Sequence, residues 1–281
     1  MIKFKNATKK YGKTTAMDRI NLEIPESGIY CLLGRNGAGK TTFMKTLAGH
    51  IPYTGGEIVV NGQTVSPGKM PECVNYIESG CVQFNARVAS LINTASKIQP
   101  DFDREFALEM ADKFQLNTSK RFKQLSFGMK TMLTAIITLA NKSKVILLDE
   151  PTLGFDAIMR SQFNTLLLES YSQHPRVLIV STHLIDEISK VIERLIIIDR
   201  GKLLVESGIE EIDEKAYTIS GTAEAVAPLL AKLNVIGKTE IGNMIAAHIY
   251  DNRITPPQGV SIDRLSLQDF FINIVGGNSH V

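Results

Sequence analysis

A chain of 281 residues with 44% hydrophobic and 21% charged residues has room for one large domain and an appendage, and is too apolar to stay disordered. A net charge of +2 with no dense Lys/Arg stripe gives no electrostatic ground for a nucleic-acid partner. No apolar run approaches the roughly 18 residues that span a bilayer; the longest, around Met132–Ala140, is half that length, so any membrane role must come through a partner.

Ile2 and Phe4 alternate with Lys3 and Lys5 as in a half-buried strand. Residues 21–24 alternate again before the turn residues Pro25, Glu26, Ser27 and Gly28. The continuous apolar run Ile29–Leu33, ending at Gly34, fits a parallel strand buried on both faces. Asn61-Gly62 between residues 58–60 and 63–65 predicts a hairpin with a tight type I′ turn. From about 86 to 142 the periodicity is helical. Asp103 is placed to cap a helix carrying Phe106, Met110 and Phe114, and Met132, Ile136 and Leu139 follow the same rule. Three short apolar runs at 145–148, 177–180 and 195–198, separated by helical stretches, are the signature of a parallel sheet with crossover helices. Beyond about Glu211 residues become small and alternation weakens, with a Pro256-Pro257 break. A main domain over 1–211 and a small C-terminal domain over 212–281 are expected, the latter ending in a helix from Leu267 to Val275 with Leu267, Phe270, Phe271 and Ile274 as its packing face. Residues 1–13 lack the apolar core of a secretion signal. Cys31, Cys73 and Cys81 lack C-x-x-C spacing and read as reduced cytosolic thiols.

Gly34, Arg35, Asn36, Gly37, Ala38, Gly39, Lys40 and Thr41 match G-x-x-x-x-G-K-[ST] in full, after a buried strand and before the helix-compatible stretch Thr42–Ala48. Glycines in such a loop let successive N–H groups turn inward on phosphate oxygens, and the helix N-terminus adds positive potential. Lys40 neutralises the β- and γ-phosphates, and the Thr41 hydroxyl is a Mg²⁺ ligand candidate. The run 145–148 leads into Asp149 and Glu150. A buried strand ending in a carboxylate places Asp149 beside the loop to hold the metal, and Glu150 toward the γ-phosphate as base for the attacking water. Kinases, GTPases and motor ATPases all use such loops. Asn141-Lys142-Ser143-Lys144 lacks the carboxylate of a guanine-reading N-K-x-D, which argues against a GTPase.

Leu125-Ser126-Phe127-Gly128-Met129-Lys130, about 20 residues before Asp149, opens a helical stretch and resembles the LSGGQ signature of ABC ATPases. Residues 150–156 resemble the D-loop, Val180-Ser181-Thr182-His183 the switch-histidine loop, and Tyr11 the aromatic residue that stacks on adenine. These motifs run in family order from Tyr11 to about Val205. The resemblance implies an α/β P-loop ABC-ATPase fold: a mixed/parallel sheet core, an antiparallel β subdomain, an α-helical subdomain at about 86–142 and a small C-terminal α+β domain. It implies ATP and Mg²⁺ as cofactors. Tyr11, the loop 34–41 and Thr42 would hold one nucleotide, while Ser126 and Gly128 reach the nucleotide of a second ATPase subunit paired head to tail. Thr41 and Asp149 would hold the metal, and Lys40, Glu150 and His183 would carry catalysis. The implied partners are that second ATPase subunit, identical or not, and an integral-membrane permease docking on the helical subdomain, with no nucleic acid. The implied location is cytoplasmic, peripheral to the cell membrane through the permease.

Two motifs depart from the family pattern. Phe127 stands at the first signature glycine and Met129 at the usual glutamine, which raises the question of an unequal heterodimer. After Asn75-Tyr76-Ile77 the family has a glutamine that touches Mg²⁺; here Glu78 or Ser79 is expected to fill that role, with Gln83 a few residues on. The segment 265–271 resembles the tail of ABC-2-type exporter ATPases, which move drugs, antimicrobial peptides, toxins or lipids. The leading expectation is thus a transporter ATPase. A soluble ABC-type ATPase acting on nucleic acid or ribosomes would need a long coiled-coil insertion or a second P-loop, and neither is present. A nucleotide-sensing regulator is the other alternative, and intact Lys40, Asp149, Glu150 and His183 argue against it.

Overall fold

The computed structural model describes residues 1–25, 27–66, 69–78, 80 and 84–277. The chain divides into two compact units, Met1–Ile192 with Ile198–Leu203, and Glu193–Ile197 with Leu204–Val281. Along the first run β1 (Ile2–Tyr11), β2 (Thr14–Ile24), β3 (Gly28–Leu33), α1 (Lys40–Leu47), β4 (Gly55–Val60), β5 (Gln63–Thr64), β6 (Val74–Glu78), α2 (Val88–Ile98), α3 (Arg104–Lys113), α4 (Phe127–Leu139), β7 (Val145–Asp149), α5 (Ala157–Gln173), β8 (Val177–Ser181) and α6 (Ile185–Ile188). The chain continues through β9 (Arg194–Asp199) and β10 (Lys202–Gly208), which are divided between the units. Then follow α7 (Ile209–Lys215), β11 (Ala216–Thr222), α8 (Ala223–Leu230), β12 (Val235–Ile241), β13 (Met244–Tyr250), β14 (Val260–Arg264) and α9 (Leu267–Gly277).

An antiparallel sheet of order β2-β1-β4-β5 contains the predicted β4-β5 hairpin. Asn61 (φ 50°) and Gly62 (φ 81°) both adopt the left-handed conformation that a type I′ turn requires. The second sheet runs β10-β9-β3-β8-β7-β6, with β3, β8, β7 and β6 parallel. Every residue of β3, β7 and β8 is buried, which is why these strands read as unbroken apolar runs. Their register is flush: Asp149 lies opposite Ser181 on one side and Glu78 on the other. The loops leaving β3, β6, β7 and β8 therefore emerge at one edge, where ligands bind in open parallel sheets.

α1 packs against β7 and buries Phe43, Met44 and Leu47. Phe43 stacks on Phe4 with ring centroids 4.6 Å apart. Residues 86–142 hold α2, α3 and α4, as the periodicity indicates. Asp103 caps α3 by accepting from the Phe106 N–H at 2.9 Å, while Phe114 lies one position past the helix end. A buried guanidinium closes this region. Arg176, at the foot of β8, donates to the Leu139 carbonyl at 2.8 Å, the Ser170 hydroxyl at 2.6 Å and the His174 carbonyl at 3.1 Å. It thereby serves the carbonyl-rich ends of α4 and α5, where a cation is favoured. Burial pulls its pKa down to about 10.

In the second unit an antiparallel sheet of order β12-β13-β11-β14 directs Tyr217, Ile219, Ile245, Ala247 and Ile249 into one core with Val226 of α8. This alternation is stronger than the sequence reading allowed, because the opposite face carries Thr218, Ser220 and Ala246, which contrast little with the core. Phe270 and Val275 of α9 are buried, and Phe270 packs on Tyr250 at 5.0 Å. Glu211, the expected domain edge, lies within α7. Among the described residues no helix is long and apolar enough to cross a membrane. Cys31 and Cys73 are free thiols, burial pushes the Cys31 thiol up, and Cys81 lies outside the described residues.

The Phe106 N–H holds the Asp103 carboxyl below the usual range against the opposing effect of burial, and Lys142 at 3.1 Å assists. A carboxyl whose pKa is lower in the folded state stabilises fully above its unfolded value and loses that effect as pH falls through the folded one. Asp103→Ala is expected to lower the unfolding free energy by about 1 kcal/mol at neutral pH. In denaturant titrations the gap from the parent should narrow below roughly pH 4.

Candidate functional site

The loop between β3 and α1 is held so closely that two of its glycines, Gly34 and Gly39, leave no room for a side chain. A Cβ at Gly34 would lie 2.5 Å from the Ile198 carbonyl oxygen. One at Gly39, which sits at φ 109°, would lie 2.4 Å from the Ala16 carbonyl oxygen. Gly37 also has a left-handed backbone, at φ 80°. Within the loop the Ala38 N–H donates to the Arg35 carbonyl at 3.0 Å, and the Gly201 N–H donates to the Ala38 carbonyl at 2.9 Å. Asn36 and Gly37 are exposed at the crest. No side chain caps the start of α1, where Thr41 and Thr42 follow Lys40. Lys40 is only 7% exposed, and its ammonium donates to the Gly34 carbonyl at 2.8 Å.

Across the sheet edge stand the two acids. Asp149 is 1% exposed. Its Oδ1 accepts from the Ser181 hydroxyl and its Oδ2 from the Tyr76 hydroxyl at 3.4 Å. Glu150 follows at φ 50°, a strained left-handed conformation that turns its side chain away from the strand. The Glu150 N–H donates to both the carbonyl and the hydroxyl of Ser181 at 3.1 Å. The Glu150 carboxylate lies 2.9 Å from His183 Nδ1 and 3.9 Å from the Lys40 ammonium. A carboxylate only accepts, so His183 carries a proton on Nδ1 in this contact. Glu78, opposite Asp149 in the sheet, is ion-paired with Lys45 of α1 at 2.8 Å. Ser79 and Gln83 lie outside the described residues.

Tyr11 ends β1 opposite Thr14, two residues before the Ala16 that backs Gly39. Its exposed ring has the Lys9 ammonium 4.7 Å from its centroid. Ser126 caps α4 by accepting from the Met129 N–H at 3.2 Å. A Cβ at Gly128 would lie 2.8 Å from Met159 Sδ and 3.0 Å from the Gly154 carbonyl oxygen, so this helix start is pressed against residues 154–159. The expected residues thus fall into two groups. Lys40, Glu150 and His183 form a contact chain at the sheet edge beside Asp149, with the phosphate loop leading into Lys40. Ser126 and Gly128 lie with Gly154 and Met159.

Sequence reasoning missed Ser181, Tyr76 and Lys45 as supporting groups. A signal for Ser181 existed: the equal-length runs 145–149 and 177–181, aligned as neighbouring parallel strands, put it opposite Asp149. Chemically, the edge presents a buried ammonium below a loop of backbone N–H groups, a fixed buried carboxylate, and a second carboxylate held by an imidazole. That set suits binding a polyphosphate and activating water at its end.

The family described as ABC transporter matches residues 17–153. The lantibiotic transport ATP-binding protein SrtF of Streptococcus pyogenes is 32% identical over 219 residues, covering 76% of this chain and 95% of that protein. The bacitracin transport ATP-binding protein BcrA of Bacillus licheniformis is 27% identical and aligns with 99% of this chain and 98% of its own length. Among solved structures, a dimeric post-hydrolysis state of the ATP-binding cassette MJ0796 bound to ADP and Pi superposes with a TM-score of 0.63 at 22% identity, covering 74% of this chain and 99% of that one. The cbiO1 subunit of a Clostridium perfringens cbiONQ transporter gives 0.65 at 23% identity, over 75% and 89% of the two chains. The chain belongs to the ABC transporter ATP-binding family and is an ATP-binding, ATP-hydrolysing subunit of such a transporter.

Proposed function

We propose that one ATP lies with its adenine on Tyr11 and its phosphates in the loop from Gly34 to Thr42, and that Glu150 is the base for hydrolysis. The observation that carries this reading is the buried Lys40 ammonium, held by one carbonyl at 2.8 Å with Glu150 at 3.9 Å. Phosphate oxygens would supply the anionic partner that a buried cation needs. The water oxygen attacks the γ-phosphorus while Glu150 takes its proton. The bond to the β–γ bridging oxygen breaks, and ADP leaves with that electron pair. The imidazole of His183, 2.9 Å from the carboxylate, fixes it for this transfer.

The donor set fits Mg²⁺: the Thr41 hydroxyl and the Asp149 carboxylate are hard oxygen ligands, and α1 packs on the strand that ends in Asp149. When bound, the ion neutralises charge on the phosphates. Ser181 and Tyr76 hold Asp149 for that task. Glu78, beside Asp149, takes the place of the family's glutamine, with Lys45 setting its position.

Ser126, Gly128 and the start of α4 are assigned to the nucleotide of a second ATPase subunit, so that two cassettes close on ATP and part after hydrolysis. The segment from α2 to α4 is the docking face for a separate membrane permease, which would place the chain at the cytoplasmic side of the membrane. The names of SrtF and BcrA tie those relatives to lantibiotic and bacitracin transport. On that basis we assign this chain to an exporter of amphipathic or peptide-like substrates, with residues 212–281 as a separate C-terminal domain.

The decisive experiment is light scattering of Glu150→Gln with Mg-ATP at several protein concentrations. That variant should retain ATP binding, lose roughly 10²–10⁴-fold in turnover and accumulate as a dimer. The dimer should be lost in Lys40→Ala. A persistent monomer that binds ATP would replace self-pairing with a different partner ATPase, the arrangement to which Phe127 in the signature points. Ser181→Ala removes the hydroxyl that Asp149 and the Glu150 N–H share, leaving the Tyr76 hydroxyl and the residue-181 carbonyl. Its turnover number should fall about 100-fold, with nucleotide affinity in the absence of metal within about twofold of the parent, by steady-state kinetics and equilibrium titration.

A further inference from the structure

The structure assigns Asp199 a positioning role in nucleotide binding: it holds the phosphate loop in shape through the Arg35 side chain. The loop is tied at three points to the end of β9 and the turn after it. Gly34 packs on the Ile198 carbonyl, Arg35 pairs with Asp199, and Ala38 accepts from the Gly201 N–H at 2.9 Å. The middle tie is the only one made by side chains. Arg35 Nε donates to Asp199 Oδ1 at 2.9 Å and Nη2 donates to Oδ2 at 2.7 Å, a parallel two-bond fork. Asp199 is 6% exposed, and the neighbouring Arg200 stands off at 3.8 Å, so Arg35 is the close partner of a buried carboxylate. Such a carboxylate cannot lose its partner without leaving a buried charge uncompensated.

An arginine inside a phosphate loop invites reading as a phosphate ligand. Here its fork is engaged by Asp199, and its main chain closes the turn through the Ala38 N–H. The pair thus fixes where the loop's own N–H groups point, and Asp199 acts on the nucleotide through Arg35 without touching it. This inference rests on the proposal that nucleotide phosphates occupy this loop.

The test is equilibrium titration with fluorescent N-methylanthraniloyl-ADP of the full chain and of Arg35→Met, Asp199→Asn, the double variant and Lys40→Ala. Thermal melts run alongside as a folding control. If the parent fails to bind, the assignment of the loop falls first, independently of Asp199. With parental binding intact, each single substitution should raise Kd roughly tenfold, and the double variant should be no worse than either single. The exchanged pair Arg35→Asp with Asp199→Arg should recover part of the affinity, which a general loss of packing would not allow. Unchanged Kd in Arg35→Met, the variant at an exposed position that keeps the core intact, would overturn the proposal. So would tighter binding by Asp199→Asn, since that would show a released Arg35 acting as a direct phosphate ligand.

Discussion

The site depends on a buried ammonium. Lys40 is 7% exposed, and lysines are almost never so buried unless paired. Its close contact is a neutral backbone carbonyl, and the nearest carboxylate in an ion pair with it stands at 3.9 Å. Removing a cation from water costs several kcal/mol, which a carbonyl and a carboxylate beyond hydrogen-bond distance only partly offset. A buried ammonium so placed favours an incoming anion before any specific contact is considered. The surrounding fold keeps that ammonium in place. β3 is buried on both faces, the loop after it turns on glycines, and α1 starts at Lys40 itself.

The parallel sheet gives two adjacent carboxylates different tasks. Asp149 is the last residue of β7, still in register with Ser181 and Glu78, and is enclosed by the neighbouring strands. Glu150 lies one residue beyond, and its left-handed backbone swings it out of register toward Lys40 and His183. Strain of that kind costs about 1–3 kcal/mol and persists where its surroundings over-determine it. Here Ser181 does so, because the same hydroxyl that donates to Asp149 accepts from the Glu150 N–H. One serine at the end of β8 thus separates an enclosed carboxylate suited to a metal from a more exposed one, turned out of the strand, suited to water.

Much of this was legible because the chemistry is local in sequence. The apolar runs at 29–33, 145–148, 177–180 and 195–198 all became strands, since a strand buried on both faces has no alternation to hide. Asp103 and Asn61-Gly62 announced a cap and a turn through backbone rules that span three residues at most. The supporting groups were illegible for the opposite reason. Arg35 and Asp199 are 164 residues apart, and only the sheet order brings them together. Tyr76 and Ser181 support Asp149 through strand register, which no local pattern states. In the second unit, small residues such as Thr218, Ser220 and Ala246 blurred the alternation on which strand recognition relies.

Packing also explains which departure from the family signature this chain tolerates. Phe127 replaces the first glycine, yet it stands at the first position of α4 with its ring half-exposed, 49%, so the substitution forces nothing into the core. The ring lies over Gly154, where a Cβ would come within 2.2 Å of it, and Gly154 must also adopt φ 81°. Gly128 has no such freedom, because Met159 and the Gly154 carbonyl close over it. A side chain at the second glycine would therefore have to displace the Met159 thioether and press on the Gly154 carbonyl, whereas the first position leaves room for a phenyl ring. A bulky residue at the first position converts a bare helix start into an aromatic surface stacked on the D-loop. Phe127 does this from a half-exposed position at the start of α4, outside the phosphate loop.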